Sequence, residues 1–481
     1  MLLLFLVLIP AVLGWIALYV KSVRIDLGIL LAAGVLHLSG TTWFWVGGRG
    51  AKLGELLKLD ATGLLFLSVT SVLFLAAALY SVPYIIGETH DPKTAPHRFV
   101  PCLLWFLSAM TLVTVSHHLG ILWAAVEATT LASAPLVYFY QRKGALEATW
   151  KYLLICSVGI ALALLGTFFL GIAASALPGA HGLTLTEMIG AAPSMPRPWL
   201  KATFVLVLVG YGTKMGLAPL HTWLPDTHSQ APSPVSALLS GALLNCAFLA
   251  ILRFYQVCLA SGDAAFARNL LLGLGFLSIG LACAFMVGQR DYKRLFAYSS
   301  IENMGVITVG IGAGGAATYG ALLHAVNHSL CKAGLFFLAG NMLRVFGTTV
   351  ASEVRGVLRR VPITGALLFT LFLAIGGAPP FGPFVSELVI FRVTMSDPHK
   401  WLGILFITLL AGAFLAMASV LLPMLQGDFQ GESGAPGPIK REPLLSIGTP
   451  LILACATLLL GLHIPRFLSA ALTAAVRSIG A

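Results

Sequence analysis

The chain has 481 residues, of which 58% are apolar and only 10% charged, and its formal net charge is +11. Soluble domains carry about 25% charged residues, so this composition excludes a water-soluble globule and leaves lipid as the solvent. Nucleic acid is excluded as a partner too, because the basic residues sit in short loops between apolar runs (Arg142–Lys143, Arg290–Lys293–Arg294, Arg355–Arg359–Arg360), the pattern of cytoplasm-facing topology signals.

In chain order, apolar segments long enough to cross a bilayer are expected at 2–20, 25–46, 59–86, 99–116, 119–139, 149–174 and 199–218. They continue at 232–257, 269–288, 293–312, 318–343, 362–393, 401–425 and 443–463. The expectation is an all-α membrane protein of about fourteen transmembrane helices, since runs this long do not fit the short alternating strands of a barrel. Residues 1–20 lack a basic leader and a small-residue cleavage site before Lys21, so they are expected as a retained first helix. The longest connections, 175–198 and 426–442, are rich in Gly, Pro and Ala and too short for a folded extramembrane domain.

Loops after odd-numbered segments hold Lys21, Arg24, Lys93, Arg98, Arg142, Lys143, Lys151, Arg290, Lys293, Arg294, Arg355, Arg359, Arg360, Lys440 and Arg441. The other side holds fewer, among them Arg49, Lys52, Lys58, Arg197, Lys201, Arg268 and Lys400. This bias puts both termini outside the cytoplasm, with the chain in the inner (plasma) membrane. Cys102, Cys156, Cys246, Cys258, Cys283, Cys331 and Cys455 form no C-x-x-C pair and read as packing residues, so no cofactor, metal or redox centre is expected in this chain.

Two segments should be interrupted. One reads Gly212-Thr-Lys214-Met-Gly216-Leu-Ala-Pro219, the other Gly376-Gly-Ala-Pro379-Pro380-Phe-Gly382-Pro383. Proline removes a backbone donor and glycine loosens the helix, so breaks are expected within 216–220 and 376–383. Gly216-Leu-Ala-Pro219 echoes Gly376-Gly-Ala-Pro379, and corresponding broken helices point to an inverted-repeat transporter.

An ionisable group near the bilayer centre costs several kcal/mol and is a functional candidate by default. Glu127, Lys214, Glu302, His324, His328, Lys332 and Glu387 all fall inside apolar segments. Each alone could be a structural partner, a snorkelling end or a satisfied core histidine. Together they read as a relay: His324, His328 and Lys332 recur every fourth residue on one helix face, about 6 Å apart along the axis, and each charge shifts its neighbour's affinity for a proton. Glu302 is expected near the cytoplasmic end of its helix. A metal between the two histidines would lack a third protein ligand nearby in sequence.

At these residues the sequence resembles the antiporter-like subunits shared by respiratory complex I, the multisubunit sodium/proton antiporters and group 4 membrane-bound nickel–iron hydrogenases, over roughly residues 60–425. The stretches that carry the resemblance are Lys214-Met-Gly-Leu-Ala-Pro-Leu-His-Thr-Trp-Leu-Pro-Asp226, Ala231-Pro-Ser-Pro-Val-Ser-Ala-Leu-Leu239, Lys293-Arg-Leu-Phe-Ala-Tyr-Ser-Ser-Ile301 and His324-Ala-Val-Asn-His-Ser-Leu-Cys-Lys332. Within the family, Ser300-Ile-Glu302-Asn-Met-Gly305 and Phe384-Val-Ser-Glu387-Leu-Val-Ile-Phe391 look most like the hydrogenase-4 component F type.

The resemblance implies N-terminal helices 1–3 over residues 1–98 and a first inverted five-helix repeat over 99–257. It implies a second repeat over 269–425 and a fourteenth helix and tail over 443–481. It implies that Glu127, Lys214, Lys332 and Glu387 match the family's charged positions; with Lys151, Asn245, Glu302, His324 and His328 they make up the expected proton-transfer set. Asn245 stands where many members carry a bridging lysine and cannot hold a proton charge, so a step there needs water or a hydroxyl such as Ser240. The implied partners are other membrane subunits, a soluble redox arm, the bilayer and H⁺, with Na⁺ as the alternative ion. Two other readings stay open: the proton-conducting partner of a zinc-dependent inorganic-carbon uptake complex, and a non-conducting anchor subunit.

Overall fold

The computed structural model describes residues 1–47, 51–88, 96–177, 182–396, 400–427 and 442–480. Arg49, Lys93, Lys440 and Arg441 of the loop-charge pattern lie outside the described residues.

The first elements are α1 (Leu2–Ala17), α2 (Val23–Val46), a hairpin of β1 (Lys52–Leu53) and β2 (Leu57–Lys58), α3 (Ala61–Glu88), α4 (Pro96–Val115), α5 (Leu119–Val137), α6 (Lys143–Ser175) and α7 (Leu185–Ala191). Next come α8 (Arg197–Met215), α9 (Trp223–Gln230) and α10 (Ser233–Leu238), which runs through a π-turn at Leu239–Leu243 into α11 (Leu244–Ala260). The rest are α12 (Ala264–Met286), α13 (Tyr292–Ala313), α14 (Ala316–Phe346), α15 (Val357–Arg360), α16 (Pro362–Ile375), α17 (Gly382–Thr394), α18 (Lys400–Gln426), α19 (Leu444–Leu462) and α20 (Arg466–Ile479). Among the described residues, ten helical segments are long and apolar enough to cross a membrane. The chain is a multi-pass membrane protein.

Three short elements lay below what the sequence reading resolved. The all-α reading missed the short hairpin, whose strands pair Lys52 with Lys58 and Leu53 with Leu57; two residues per strand are too few for any alternation to register in sequence. The connection over 175–198 holds α7, whose N-cap Thr184 accepts from Glu187 N through Oγ1 and donates to Glu187 Oε2. The tail after residue 463 is a helix, α20, with Leu468, Leu472, Ala475 and Ile479 buried along one side.

Burial sorts the helices. α10–α11, α13 and α14 are buried on nearly all sides and form the centre. α6 and α18 bury one stripe and turn Leu154, Val158, Phe168, Ile404 and Leu415 outward, as lipid-facing helices do. Small residues bring backbones together: a side chain at Gly210 would collide with the Gly159 carbonyl of α6, and one at Gly305 with the Gly275 carbonyl of α12.

Both expected breaks occur, at residues 216–222 and 376–381. The first helix end closes with Gly216 at φ +83 and Leu217 N donating to Gly212 O at 2.8 Å. The second closes with Gly377 at φ +71 and Ala378 N donating to Leu373 O at 3.0 Å. This is the left-handed glycine cap, which L residues with a Cβ rarely adopt. It corrects the register of the echo by one residue: Gly216 corresponds to Gly377, not Gly376, and Pro219 to Pro380. Letter matching could not separate two adjacent glycines; only the backbone torsion identifies the capping one.

At one end of the bundle Arg253 of α11, 3% exposed, makes two hydrogen bonds to Asp60 at the start of α3, one from Nη2 to Oδ1 at 2.7 Å. Burial works to raise the Asp60 pKa, but the Arg253 charge and hydrogen bonds and the Gly63 N–H outweigh it and hold the carboxyl below its usual range. Such a group stabilises the fold above its unfolded pKa and loses that contribution as pH falls through the folded one. Arg253→Met is expected to cost about 3 kcal/mol by stranding the carboxylate. Thermal unfolding in detergent checks this: the gap from wild type should be full at neutral pH and shrink as Asp60 protonates in acid.

Candidate proton-transfer site

The first charged group lies where α5, α6 and α8 meet. Lys214 occupies the last turn of α8, two residues before the Gly216 cap, and is fully buried. Its Nζ donates to Thr130 Oγ1 of α5 at 2.7 Å and to the Tyr152 hydroxyl of α6 at 2.8 Å. Thr130 donates in turn to Glu127 Oε2 at 3.2 Å, and Ser157 of α6 donates to Glu127 Oε1 at 2.9 Å. Lys214 and Glu127 therefore communicate through one hydroxyl rather than as a direct ion pair. Tyr152 continues to Ser133 at 2.7 Å.

The break beside Lys214 is held from two sides. The Trp223 indole donates to the Thr213 carbonyl at 2.8 Å, satisfying a helix-end acceptor, and Ala218 N donates to Ser278 Oγ of α12 at 2.9 Å.

Between the two charged groups lies a band of neutral polar side chains. Asn245 Nδ2 donates to Gly241 O at 2.9 Å and to Ser329 Oγ of α14 at 2.6 Å, while its Oδ1 is buried without a partner. Ser240, inside the π-turn, shares a 2.8 Å hydrogen bond with Ser300 of α13. Ser300 donates to the Phe296 carbonyl at 3.0 Å, and Lys332 Nζ donates to the same carbonyl at 3.1 Å. A π-turn widens the helix and re-aims its side chains, which is how Ser240 reaches α13.

The second charged group lies among α13, α14 and α17. His324, His328 and Lys332 are all fully buried. His324 bonds Ser386 Oγ through Nδ1 at 2.9 Å and Asn303 Oδ1 through Nε2 at 3.0 Å. Because an amide oxygen only accepts, Nε2 carries the proton of the neutral ring, an assignment inferred from the network. Neither ring nitrogen of His328 makes a hydrogen bond within normal geometry, and the same holds for His228 of α9, whose ring stacks on Phe336 at 4.6 Å.

Glu302 sits midway along α13, not near its end as expected, because the helix begins ten residues earlier at Tyr292. Asn303 Nδ2 donates to its carboxylate. Glu302 and Glu387 both line one small cavity, together with Gly376, Phe414 and Met417. Glu387 folds back against Gly377, where any Cβ would overlap its Oε2. Gly377→Ala is expected to displace Glu387 from the cavity and, with the strain at positive φ, to destabilise by about 1 kcal/mol or more. Thermal melts in detergent should separate it from Gly448→Ala, where nothing lies within 4 Å.

Lys151 does not join either buried group. It is exposed and bridges Glu147 at 2.6 Å and Asp226 at 3.0 Å, and Asp226 also pairs with Arg294 of α13. Sequence reading missed Thr130, Tyr152, Ser157, His228, Asn303 and Ser386. His228 stood two residues past the quoted Asp226 and carried an intramembrane-histidine signal. The hydroxyls carried none, because Ser and Thr can bond their own helix carbonyl four residues back, as Ser133 does to Thr129 O at 2.7 Å, and so sit in lipid at little cost.

A protein-family model described as NADH:quinone oxidoreductase/Mrp antiporter, TM, matches residues 116–415. The sequence is similar to the Hydrogenase-4 component F homolog of Methylacidiphilum infernorum (isolate V4), 35% identical over 421 residues that cover 86% of each chain. It is also similar to NADH-quinone oxidoreductase subunit N of Desulforudis audaxviator (strain MP104C), 30% identical over 368 residues, 74% of this chain and 71% of that one. The fold is similar to a chain of the Mrp complex from Dietzia sp. DQ12-45-1b, with TM-score 0.87, 19% identity and coverage of 99% and 98%. A chain of respiratory complex I from Thermus thermophilus with bound NADH gives TM-score 0.82 at 23% identity over 100% of both. At these identities the structural likeness speaks for the fold alone.

Proposed function

We propose a proton-conducting role for this chain, which belongs to the NADH:quinone oxidoreductase/Mrp antiporter transmembrane family. It is an antiporter-like membrane subunit of the complex I and hydrogenase-4 type. On our reading it carries H⁺ across the inner (plasma) membrane within a redox-driven complex, and a hydrogenase of the hydrogenase-4 kind is favoured by the similarity to a component F homolog. It catalyses no redox step itself; a soluble redox arm and other membrane subunits supply the drive.

We assign about fourteen membrane crossings, counting α8–α9 and α16–α17 as one broken crossing each, with residues 99–257 and 269–425 as two inverted repeats. The equivalent caps at Gly216 and Gly377 support that assignment. Each repeat would hold half of the path. In the first, the proton moves between Lys214 and Glu127. In the second it passes among Lys332, His328, His324 and the Glu302–Glu387 cavity. Asn245 would hold no proton; the Ser240–Ser300 hydrogen bond supplies the hydroxyl route from the π-turn toward Lys332, with water bridging what the hydroxyls do not reach. Lys151 would act at the mouth of the path, through Asp226 and Arg294.

The observation that carries the reading is the separation of Glu127 and Lys214 by the single hydroxyl of Thr130. A carboxylate one hydroxyl away from a buried ammonium exchanges influence with a small movement: drawing closer favours the ion pair, withdrawing releases the proton to the next acceptor. Glu127 is also only half-buried, and a carboxylate facing lipid costs several kcal/mol, so a neighbouring subunit covering α5 is the expected arrangement.

The test is proton uptake by vesicles holding the complete assembly, with its other proteins identified after purification in mild detergent. Uptake driven by a redox substrate and abolished by an uncoupler is expected. A co-purifying zinc-ligand protein would favour inorganic-carbon uptake instead, and a well-assembled complex without uptake would leave the anchor reading.

A further inference from the structure

α20 lies across one end of the bundle. Its Ser478 hydroxyl bonds Thr62 at the start of α3 at 2.7 Å, Gln256 near the end of α11 donates to the Ser478 carbonyl at 2.5 Å, and Tyr319 at the start of α14 donates to Ser469 at 3.3 Å. Helix ends are where a spanning bundle meets the headgroups, so α20 lies in the interfacial plane, its apolar side down on the bundle. Trp45, in the last turns of α2, marks the same level; its indole donates to Ser68 at 2.8 Å and Phe467 of α20 packs edge-on against it at 5.7 Å.

Two hollows flank this helix. One is an apolar groove of about 540 Å³, walled by Leu38 and Trp45 of α2, Val69 and Val72 of α3, Leu330 of α14 and Phe467. The other is an open hollow along the outer face of α20, lined by Arg466, Ser469, Thr473 and Arg477. A small hollow bounded by Trp45 and Ala474 connects their walls. Both arginines are exposed, and among the described residues neither forms an ion pair. The carboxylate at that connection, Asp60, is already held by Arg253.

We propose that this is a binding site for one anionic phospholipid, its headgroup between Arg466 and Arg477 and an acyl chain in the groove. The charge decides the occupant: two unpaired guanidinia at headgroup level next to an apolar channel that descends along α2 and α3 match a negative head joined to a hydrocarbon tail. The groove's floor, Val326 and Leu330, belongs to α14, the helix of His324, His328 and Lys332. A chain seated there braces that helix from behind.

The full chain, purified in mild detergent, is titrated with phosphatidylglycerol or phosphatidylcholine and its lipid adducts counted by native mass spectrometry. Wild type should prefer phosphatidylglycerol, and Arg466→Gln with Arg477→Gln should remove that preference, at about fivefold per arginine. Arg466→Lys with Arg477→Lys should keep it, and Leu38→Trp, which fills the groove from a half-buried position, should weaken both lipids. Equal binding of the two lipids by wild type, or a Gln double variant with unchanged preference, overturns the proposal. So does a photoactivatable phosphatidylglycerol that, in the complete assembly, labels other helices while a protein neighbour cross-links to α20.

Discussion

Replacing Glu127 with Gln is expected to cut proton uptake by the assembled complex at least about tenfold, equivalent to about 1.4 kcal/mol on the rate-limiting barrier. Gln keeps the length: its amide oxygen can accept from one of the two hydroxyls that Glu127 bonds, Thr130 and Ser157, and the other hydroxyl can turn to accept from the amide NH2, so assembly should be near normal. What it loses is the negative charge that Lys214 meets through Thr130. With that charge gone, the ammonium at Lys214 has only the neutral hydroxyls of Thr130 and Tyr152, and movement of α5 no longer brings a negative charge toward it or away from it. The measurement is substrate-driven uptake in vesicles, with assembly checked separately by native electrophoresis. Full coupling in a well-assembled variant would show that this half of the path does not conduct.

Lys332→Met should be as severe, at least about tenfold, with a different signature in stability. Lys332 is fully buried; its ammonium donates to the Phe296 carbonyl at 3.1 Å and lies within charge range of Glu302. Met matches its length without its charge, and replacing a buried charge with an apolar group of similar volume is often neutral or stabilising. The expected result is therefore lost transport at an unchanged or higher melting temperature. A packing role for Lys332 would give the opposite pair, lower stability with transport surviving in the folded fraction. Unchanged uptake at normal assembly would remove Lys332 from the path.

Much of the site was legible because charge in lipid is expensive. Glu127, Lys214, Glu302, His324, His328, Lys332 and Glu387 stand out in apolar runs without any knowledge of what surrounds them. The rule did not bring in Lys151, which stands near the start of the 33-residue α6 and is exposed. It was silent on Thr130, Tyr152 and Ser300, which join the charged residues and yet are ordinary residues in any membrane helix. It also said nothing of α20, because a 14-residue helix with arginines at both ends is too short and too polar to register as a span.

The sequence by itself determined that this chain lives in lipid, where most of its long apolar helices run, that two of them break, and which ionisable groups fall inside apolar runs. Each of these follows from a local cost: an apolar run in water, a proline in a helix, a charge in hydrocarbon. Tertiary structure alone decided which of two adjacent glycines caps the second break, that Thr130 stands between Glu127 and Lys214, that Ser240 meets Ser300, and that Glu302 and Glu387 share a cavity. Those depend on helices far apart in the chain packing at set distances and rotations, and a hydrogen bond forms or fails within a fraction of an ångström that no local preference specifies.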